Sequence, residues 1–326
     1  MEQRHLGRTG LRVSRLGLGT LTWGRDTGER DAADQLKAFW GAGGTLVDTA
    51  DVYADGGAEY LLGRLLEDLV PRTDLVIATK AGSVPDPDRR FDTSRGHLLS
   101  ALDASLQRLG TDYVDLWQVH AFDPGTPLEE TLQALEIAVS TGRARYVGVS
   151  NFCGWQLAKA ASWQLAAPGR TPLASTQMEY SLLQRGVERE VLPAALDLGV
   201  GLLPSSPLGR GVLTGKYRHG TPADSRGGSP DMAPFVAPYL DETARLIVDA
   251  LAIAADGLAV SALHVALAWV RDRPGVAAPI VGARSAAQLT EALSVEALTL
   301  PEEICLALDD VSAPLHRYPD HDWSTL

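Results

Sequence analysis

The chain has 326 residues, 45% of them hydrophobic and 21% charged, which is typical of a folded soluble protein. A net charge of −12 argues against binding DNA or RNA over a broad surface. No apolar run approaches the length of a membrane span, and the N-terminus has no apolar leader. We therefore expect a cytoplasmic protein that does not bind membranes, with Cys153 and Cys305 as reduced thiols.

The first predicted element is a short hairpin in residues 5–15 that turns at Gly7–Gly10 and closes the bottom of the fold. Eight short apolar runs follow, with the continuous hydrophobicity of strands covered on both faces. The runs are 14–19, 44–50, 74–80, 113–120, 145–151, 173–179, 199–205 and 276–282. Amphipathic stretches between them predict helices at 31–42, 58–69, 98–109, 128–139, 155–166 and 187–198.

This alternation of strands and helices predicts a (β/α)8 TIM barrel, formed by a single domain over residues 1–326. The connection between the seventh and eighth strands is unusually long. Its first part, 218–240, is rich in Gly, Pro and Ser and predicts a functional or mobile loop. Two extra helices are predicted after it, at 241–255 and 260–271.

Polar residues follow the apolar runs at the strand ends where this fold places its active sites. They are Asp48, Lys80, His120, Ser150, Asn151, Gln177, Ser205 and Ser206, and Tyr53 lies five residues after Asp48. Each alone has an ordinary structural explanation. Matching positions on adjacent strands favour a shared site.

Asp48, Tyr53, Lys80 and His120 together suit the protonation of a carbonyl oxygen. A phenol has a pKa of about 10, and a neighbouring ammonium makes it a better proton donor. A carboxylate would keep that ammonium charged, while a neutral imidazole would orient the carbonyl. No metal-ligand set and no G-x-S-x-G elbow is present in the sequence. A Schiff-base aldolase that uses Lys80 as a nucleophile remains an alternative.

Six motifs in chain order resemble the aldo-keto reductase superfamily over essentially the whole length. They are VDTADVYADGGAEYLLG (47–63), SLQRLGTDYVDLWQVH (105–120), VGVSNF (147–152), QMEYSLLQR (177–185), SPLGRGVLTGKY (206–217) and VGARSAAQL (281–289). The resemblance implies a catalytic tetrad of Asp48, Tyr53, Lys80 and His120, with Tyr53 as proton donor. It also implies reduction of an aldehyde or ketone by NADPH, and His120 favours a carbonyl substrate.

The resemblance further implies an extended NADPH site across the barrel top. The nicotinamide would contact Ser150, Asn151 and Gln177, with Gly19, Thr20, Trp23 and Asp48 lining the same pocket. The pyrophosphate would lie against Ser206, Leu208, Gly209, Arg210, Gly211 and Lys216. The adenosine would meet Gly282, Arg284, Gln288 and Glu291, and a guanidinium at Arg284 suits a 2′-phosphate. Trp23, Tyr53, His120 and Phe122 are the predicted substrate walls, although Phe122 also fits simple packing.

Two positions depart from the pattern of the superfamily. Ser205 stands where many relatives carry an aromatic residue that stacks on the nicotinamide, and Ala292 follows Glu291 where asparagine is common. The motifs at 206–217 and 281–291 also resemble potassium-channel β subunits. An NADPH-binding, redox-sensing protein with little turnover therefore remains an alternative to the reductase.

Overall fold

The structure, a computed structural model, describes residues 1–314 apart from positions 87, 224 and 231. Residues 315–326 of the predicted single domain lie outside this described part. Within it, the chain forms ten strands, β1 to β10: Gln3–His5, Arg12–Ser14, Gly17–Gly19, Leu46–Asp48, Val76–Ala81, Val114–Val119, Ala144–Ser150, Leu173–Glu179, Gly201–Ser205 and Ile280–Gly282.

Strands β3 to β10 form a closed parallel barrel. They lie side by side in chain order, and β10 returns to pair with β3. A parallel bridge between Leu202 and Val276 joins β9 to the segment that leads into β10. The predicted (β/α)8 barrel is confirmed, and each of the eight apolar runs coincides with a strand. Six runs contain their strand completely, whereas β5 ends one residue after its run and β7 begins one residue before its run.

The α-helices surround this barrel. In the described residues they are α1 to α11: Glu29–Gly41, Gly57–Asp68, Arg95–Leu109, Leu128–Ser140, Gly154–Leu165, Val191–Leu198, Ala233–Val236, Glu242–Gly257, Ala262–Arg271, Ala286–Leu293 and Glu302–Val311. The predicted helix at 187–198 begins later, at Val191. Pro193 explains this start, because proline is tolerated only in the first turn of a helix. Helices α7, α10 and α11 are not among the predicted helices.

The N-terminal hairpin closes the bottom of the barrel, as predicted. Strands β1 and β2 pair antiparallel, and Leu6 and Val13 are fully buried in the barrel interior. Gly7 has a positive φ of 59°, and a Cβ there would lie 2.5 Å from the Gly199 carbonyl oxygen. Only glycine fits this close approach, which seals the end of the barrel opposite to the catalytic one.

Helices α8 and α9 follow the long connection and pack their apolar faces into the core around the barrel. Among the described residues, no single helix is long and apolar enough to cross a membrane. Only α8 and α9 taken together, bent by 101° to one another, reach that length and composition.

Candidate active site

The site begins with a buried ion pair between neighbouring strands. Asp48 ends β4, and Lys80 lies one residue before the end of β5. The Lys80 Nζ atom donates to Asp48 Oδ2 at 2.7 Å and to the Thr49 carbonyl at 2.8 Å. Gln177 Nε2 donates to the other oxygen, Asp48 Oδ1, at 2.8 Å. Both carboxylate oxygens are therefore engaged, which fixes the position of the ammonium.

A tight turn brings Tyr53 back over this pair. Ala54 and Asp55 have positive φ angles of 51° and 54°, and the turn continues into Gly56 with a φ of 87°. The Tyr53 ring centroid lies 5.2 Å from Lys80 Nζ. Aspartate and glycine tolerate this left-handed backbone well, so the sequence YADGG permits the reversal.

His120 completes the group from the loop after β6. Its ring centroid lies 6.1 Å from that of Tyr53, with the rings edge to face. Within the described part of the chain, the buried Nδ1 atom has no hydrogen-bond partner. The structure thus brings the four predicted catalytic side chains together.

Burial and mutual charge set the ionisation of these groups. Burial lowers the pKa of Lys80, but the charges of Asp48 and Tyr53 and the hydrogen bonds to both together outweigh burial, so the net pKa is raised. Burial, reinforced by the Lys80 ammonium, lowers the pKa of His120 to about 3, so the imidazole is neutral near pH 7.

The ionisation of Tyr53 differs from the sequence-based expectation. Burial raises the pKa of its phenol, while the Lys80 charge and hydrogen bond oppose that effect. The predicted influence of Lys80 is present, but burial outweighs it. Tyr53 is therefore a neutral phenol that holds a proton to donate, with a cation beside it to stabilise the phenolate.

A cavity of about 420 Å³ extends from this group across the top of the barrel. Most residues predicted to bind the cofactor line it. They are Gly19, Thr20, Asp48, Gln177, Ser206, Leu208, Arg210, Gly211, Lys216, Gly282, Arg284, Gln288 and Glu291. Tyr53 and Ser205 also line it.

Other predicted site residues are placed differently, with Trp23 the clearest case. Trp23 is fully buried, and its indole N–H donates to Gln35 Oε1 at 3.0 Å. It packs in the core rather than lining the cavity, because α1 offers it a buried polar partner. Leu21, two residues earlier, lines the cavity instead.

Ser150 and Asn151 are not among the residues that line this cavity. The Asn151 amide donates to the His120 carbonyl at 2.9 Å and so ties two strand ends together. Phe122 packs edge to face against Phe152 and Trp155. This agrees with the interpretation of Phe122 as a packing residue rather than a substrate wall. Gly209, in a turn with a φ of 53°, also does not line the cavity.

Arg210 lines the cavity, but its guanidinium is already engaged by the protein. It forms a two-point ion pair with Glu179 and donates to the Phe235 carbonyl at 2.6 Å. It also stacks on the rings of Phe235 and Tyr239. Arg210 therefore holds the long connection against the barrel top.

Several residues that line the cavity were not predicted from the sequence, and Arg226 is the most informative of them. It comes from the Gly- and Ser-rich part of the connection, where no periodicity marks it. Burial and then the like charge of Arg284 lower its pKa, so the two guanidiniums lie close enough to repel. Two neighbouring cations on a cavity wall favour a phosphate-bearing ligand. Besides Leu21 and Arg226, the unpredicted lining residues are Thr22, Pro207, Thr214, Ser261, Leu263, Ile280, Val281, Ala283 and Ala292.

Fold and site together define a parallel (β/α)8 barrel with a cluster of buried ionisable side chains at the carboxyl ends of its strands, and sequence comparisons assign its family. The model of the aldo/keto reductase family matches residues 15–313, and the chain belongs to this family.

The curated relatives include both enzymes and channel subunits. The chain is 37% identical to the uncharacterized oxidoreductase YrpG of Bacillus subtilis, over 95% of this chain and 96% of the relative. It is 38% identical to a probable voltage-gated potassium channel subunit beta of Oryza sativa, over 98% of both chains. It is 33% identical to versiconal hemiacetal acetate reductase of Aspergillus parasiticus, over 93% of this chain and 95% of the relative.

Proposed function

We propose that this protein reduces an aldehyde or ketone to an alcohol, with NADPH as hydride donor. The observation that carries the proposal is the buried Asp48–Lys80 pair beside a neutral Tyr53 and a neutral His120, at the end of an elongated cavity. Family membership and the oxidoreductase names of relatives support it.

Each of the four side chains would have its own role in proton transfer to the carbonyl oxygen. Tyr53 donates its phenolic proton to the carbonyl oxygen as negative charge develops there. Lys80 stabilises the resulting phenolate, and Asp48 holds Lys80 in place. The neutral His120 ring keeps one N–H donor, which orients the carbonyl oxygen. A nicotinamide cofactor held in the cavity would supply the hydride for the carbonyl carbon, since no side chain can do so.

Four cationic residues line the cavity, which favours a ligand that carries phosphate groups; they are Arg210, Lys216, Arg226 and Arg284. Lys216 Nζ lies 3.2 Å from where a Cβ on Gly211 would stand, so glycine allows the ammonium to sit over this turn. We assign Lys216 to the pyrophosphate, and Arg284 with Arg226 to the 2′-phosphate region. Titrating the protein with NADPH and NADH by fluorescence, followed by a panel of aldehydes, tests the proposal. Tight binding with no oxidation of NADPH across the panel would reject the reductase.

The alternative is an NADPH-binding regulatory protein with slow turnover. The similarity to the probable potassium channel subunit beta of Oryza sativa over 98% of the chain favours it. Single-turnover oxidation of bound NADPH by an aldehyde distinguishes the two. A rate far below about 1 s⁻¹, the lower end of typical enzyme turnover, for every aldehyde would support the alternative.

Arg284 should determine the preference for NADPH over NADH. Arg284→Ala removes a guanidinium suited to the 2′-phosphate, so we expect the Kd for NADPH to rise about tenfold or more. The Kd for NADH, which lacks that phosphate, should change little. Arg245→Ala removes an exposed charge from α8 and is the matched control. Equal loss of affinity for both nucleotides in Arg284→Ala would contradict the assignment.

Ser205 should limit cofactor affinity. Tyr53 is the sole aromatic residue among the cavity-lining positions of the described chain. We expect Ser205→Trp to lower the Kd for NADPH severalfold, since stacking on a base is worth about 1–3 kcal/mol. Ser205→Leu adds apolar area without a π face and is the control. Fluorescence titration measures both, and equal tightening by leucine would show that stacking is not the cause.

A further inference from the structure

The turn between Asp48 and Tyr53 contains another carboxylate that the mechanism above does not use. The Asp51 backbone N–H donates to the Lys80 carbonyl at 3.1 Å, so this residue is attached to the strand that carries the catalytic lysine. Its Oδ1 atom is buried and has no hydrogen-bond partner in the described residues. A buried carboxylate oxygen without a hydrogen-bond partner requires a physical explanation.

The neighbouring helices explain it. Glu59 on α2 is fully buried, and Arg108 on α3 donates to its Oε2 atom at 2.8 Å from Nε. Gly56 makes room for this arginine, because a Cβ there would lie 2.7 Å from Arg108 Cδ. The guanidinium is thereby directed to Glu59 and not to Asp51.

Two carboxyl groups thus compete for one guanidinium in a buried setting, where like charges disfavour double ionisation. Burial and the charge of Glu59 raise the pKa of Asp51 to about 7, against weaker opposition from the Val52 N–H, Arg108 and Lys80. The groups that face Asp51 are therefore Glu59 from α2, Arg108 from α3, Lys80 from β5 and Tyr53 in its own turn. Asp51 is neutral below this pH and negative above it.

We propose that Asp51 acts through Tyr53 as a positioning residue, whose change of charge sets the pH dependence of carbonyl reduction. The proposal rests on the reductase function proposed above. A negative charge on Asp51 makes the Tyr53 phenol a weaker acid. Reduction should therefore be faster when Asp51 is protonated and slower once it ionises.

The test compares pH profiles of kcat/KM for an aldehyde that the protein reduces. We expect wild type to lose activity by about two- to fivefold as the pH rises through 7, in line with a modest change in the acidity of the donor. Asp51→Asn should keep the low-pH rate across this range. Asp55→Asn removes the same charge from an exposed site in the same turn, and asparagine tolerates its φ of 54°. It should follow wild type, and a wild-type profile in Asp51→Asn would overturn the proposal.

A second measurement does not depend on turnover. Carboxyl resonances of protein labelled with ¹³C-aspartate should include one that titrates near pH 7, and Asp51→Asn assigns it by its disappearance. Glu59→Gln should move this titration to lower pH because it removes the like charge. If every aspartate carboxyl has titrated below pH 5, the proposal is overturned even when the protein reduces aldehydes. If a carboxyl titrates near pH 7 but the protein shows no turnover, the titration of Asp51 is supported and only the proposed reductase function is rejected.

Discussion

Tyr53→Phe should lower turnover by about 10²–10⁴-fold, the range that a positioned general acid contributes, while NADPH binding stays near wild type. We propose the phenol as the proton donor because Tyr53 lines the cavity and lies beside Lys80 and His120. Phenylalanine keeps the ring and its packing but has no proton to give. Single-turnover oxidation of bound NADPH measures the chemical step directly.

Tyr60→Phe is the matched control for this experiment. Tyr60 is 57% exposed and lies on α2, seven residues after Tyr53, so the loss of its hydroxyl should leave the rate unchanged. Two outcomes contradict the assignment of Tyr53. One is wild-type turnover in Tyr53→Phe, and the other is a loss of rate explained wholly by lost NADPH binding.

The barrel and its catalytic group could be predicted because they rest on local sequence features. Each strand is a short apolar run, and a polar residue such as Asp48 or Lys80 interrupts that run where the strand reaches the catalytic end of the barrel. Strand order follows from the alternation with helices. The convergence of Asp48, Lys80 and His120 then follows from the topology, and the tight turn after β4 adds Tyr53.

Other features depend on contacts distant in sequence, which no local pattern reveals. Trp23 follows β3 as a cavity residue would, yet Gln35 on α1 satisfies its indole in the core. Arg210 lies in a predicted phosphate-binding turn, but Glu179 and Phe235 engage its guanidinium. The net direction of the Tyr53 pKa likewise depends on how deeply the folded chain buries the phenol.

Arg226 shows the same limit in the long connection. Its segment, rich in Gly, Pro and Ser, gave no helical or strand period, so the sequence predicted only a loop. The folded connection places this arginine on the cavity wall near Arg284. Anchoring by Arg210 explains how a segment of such composition reaches a defined position.

Lys80→Met should abolish reduction and destabilise the fold by about 3–5 kcal/mol, the cost of leaving one partner of a buried ion pair alone. Lys80 is fully buried and Asp48 is only 3% exposed, so water cannot replace the lost ammonium. Gln177 would remain as a donor to Asp48, but its amide carries no charge to balance the carboxylate. The midpoint of urea unfolding measures the loss, and Lys37→Met on the exposed face of α1 is the control.

The double variant Asp48→Asn with Lys80→Met separates the energetics of the pair from its chemistry. Removing both charges leaves no uncompensated ion in the core, so we expect much of the lost stability to return. Reduction should not return, because the phenolate of Tyr53 would still lack its cation. Equal stability of the single and double variants would show that Asp48 gains little from Lys80. Recovered turnover in the double variant would remove Lys80 from the mechanism.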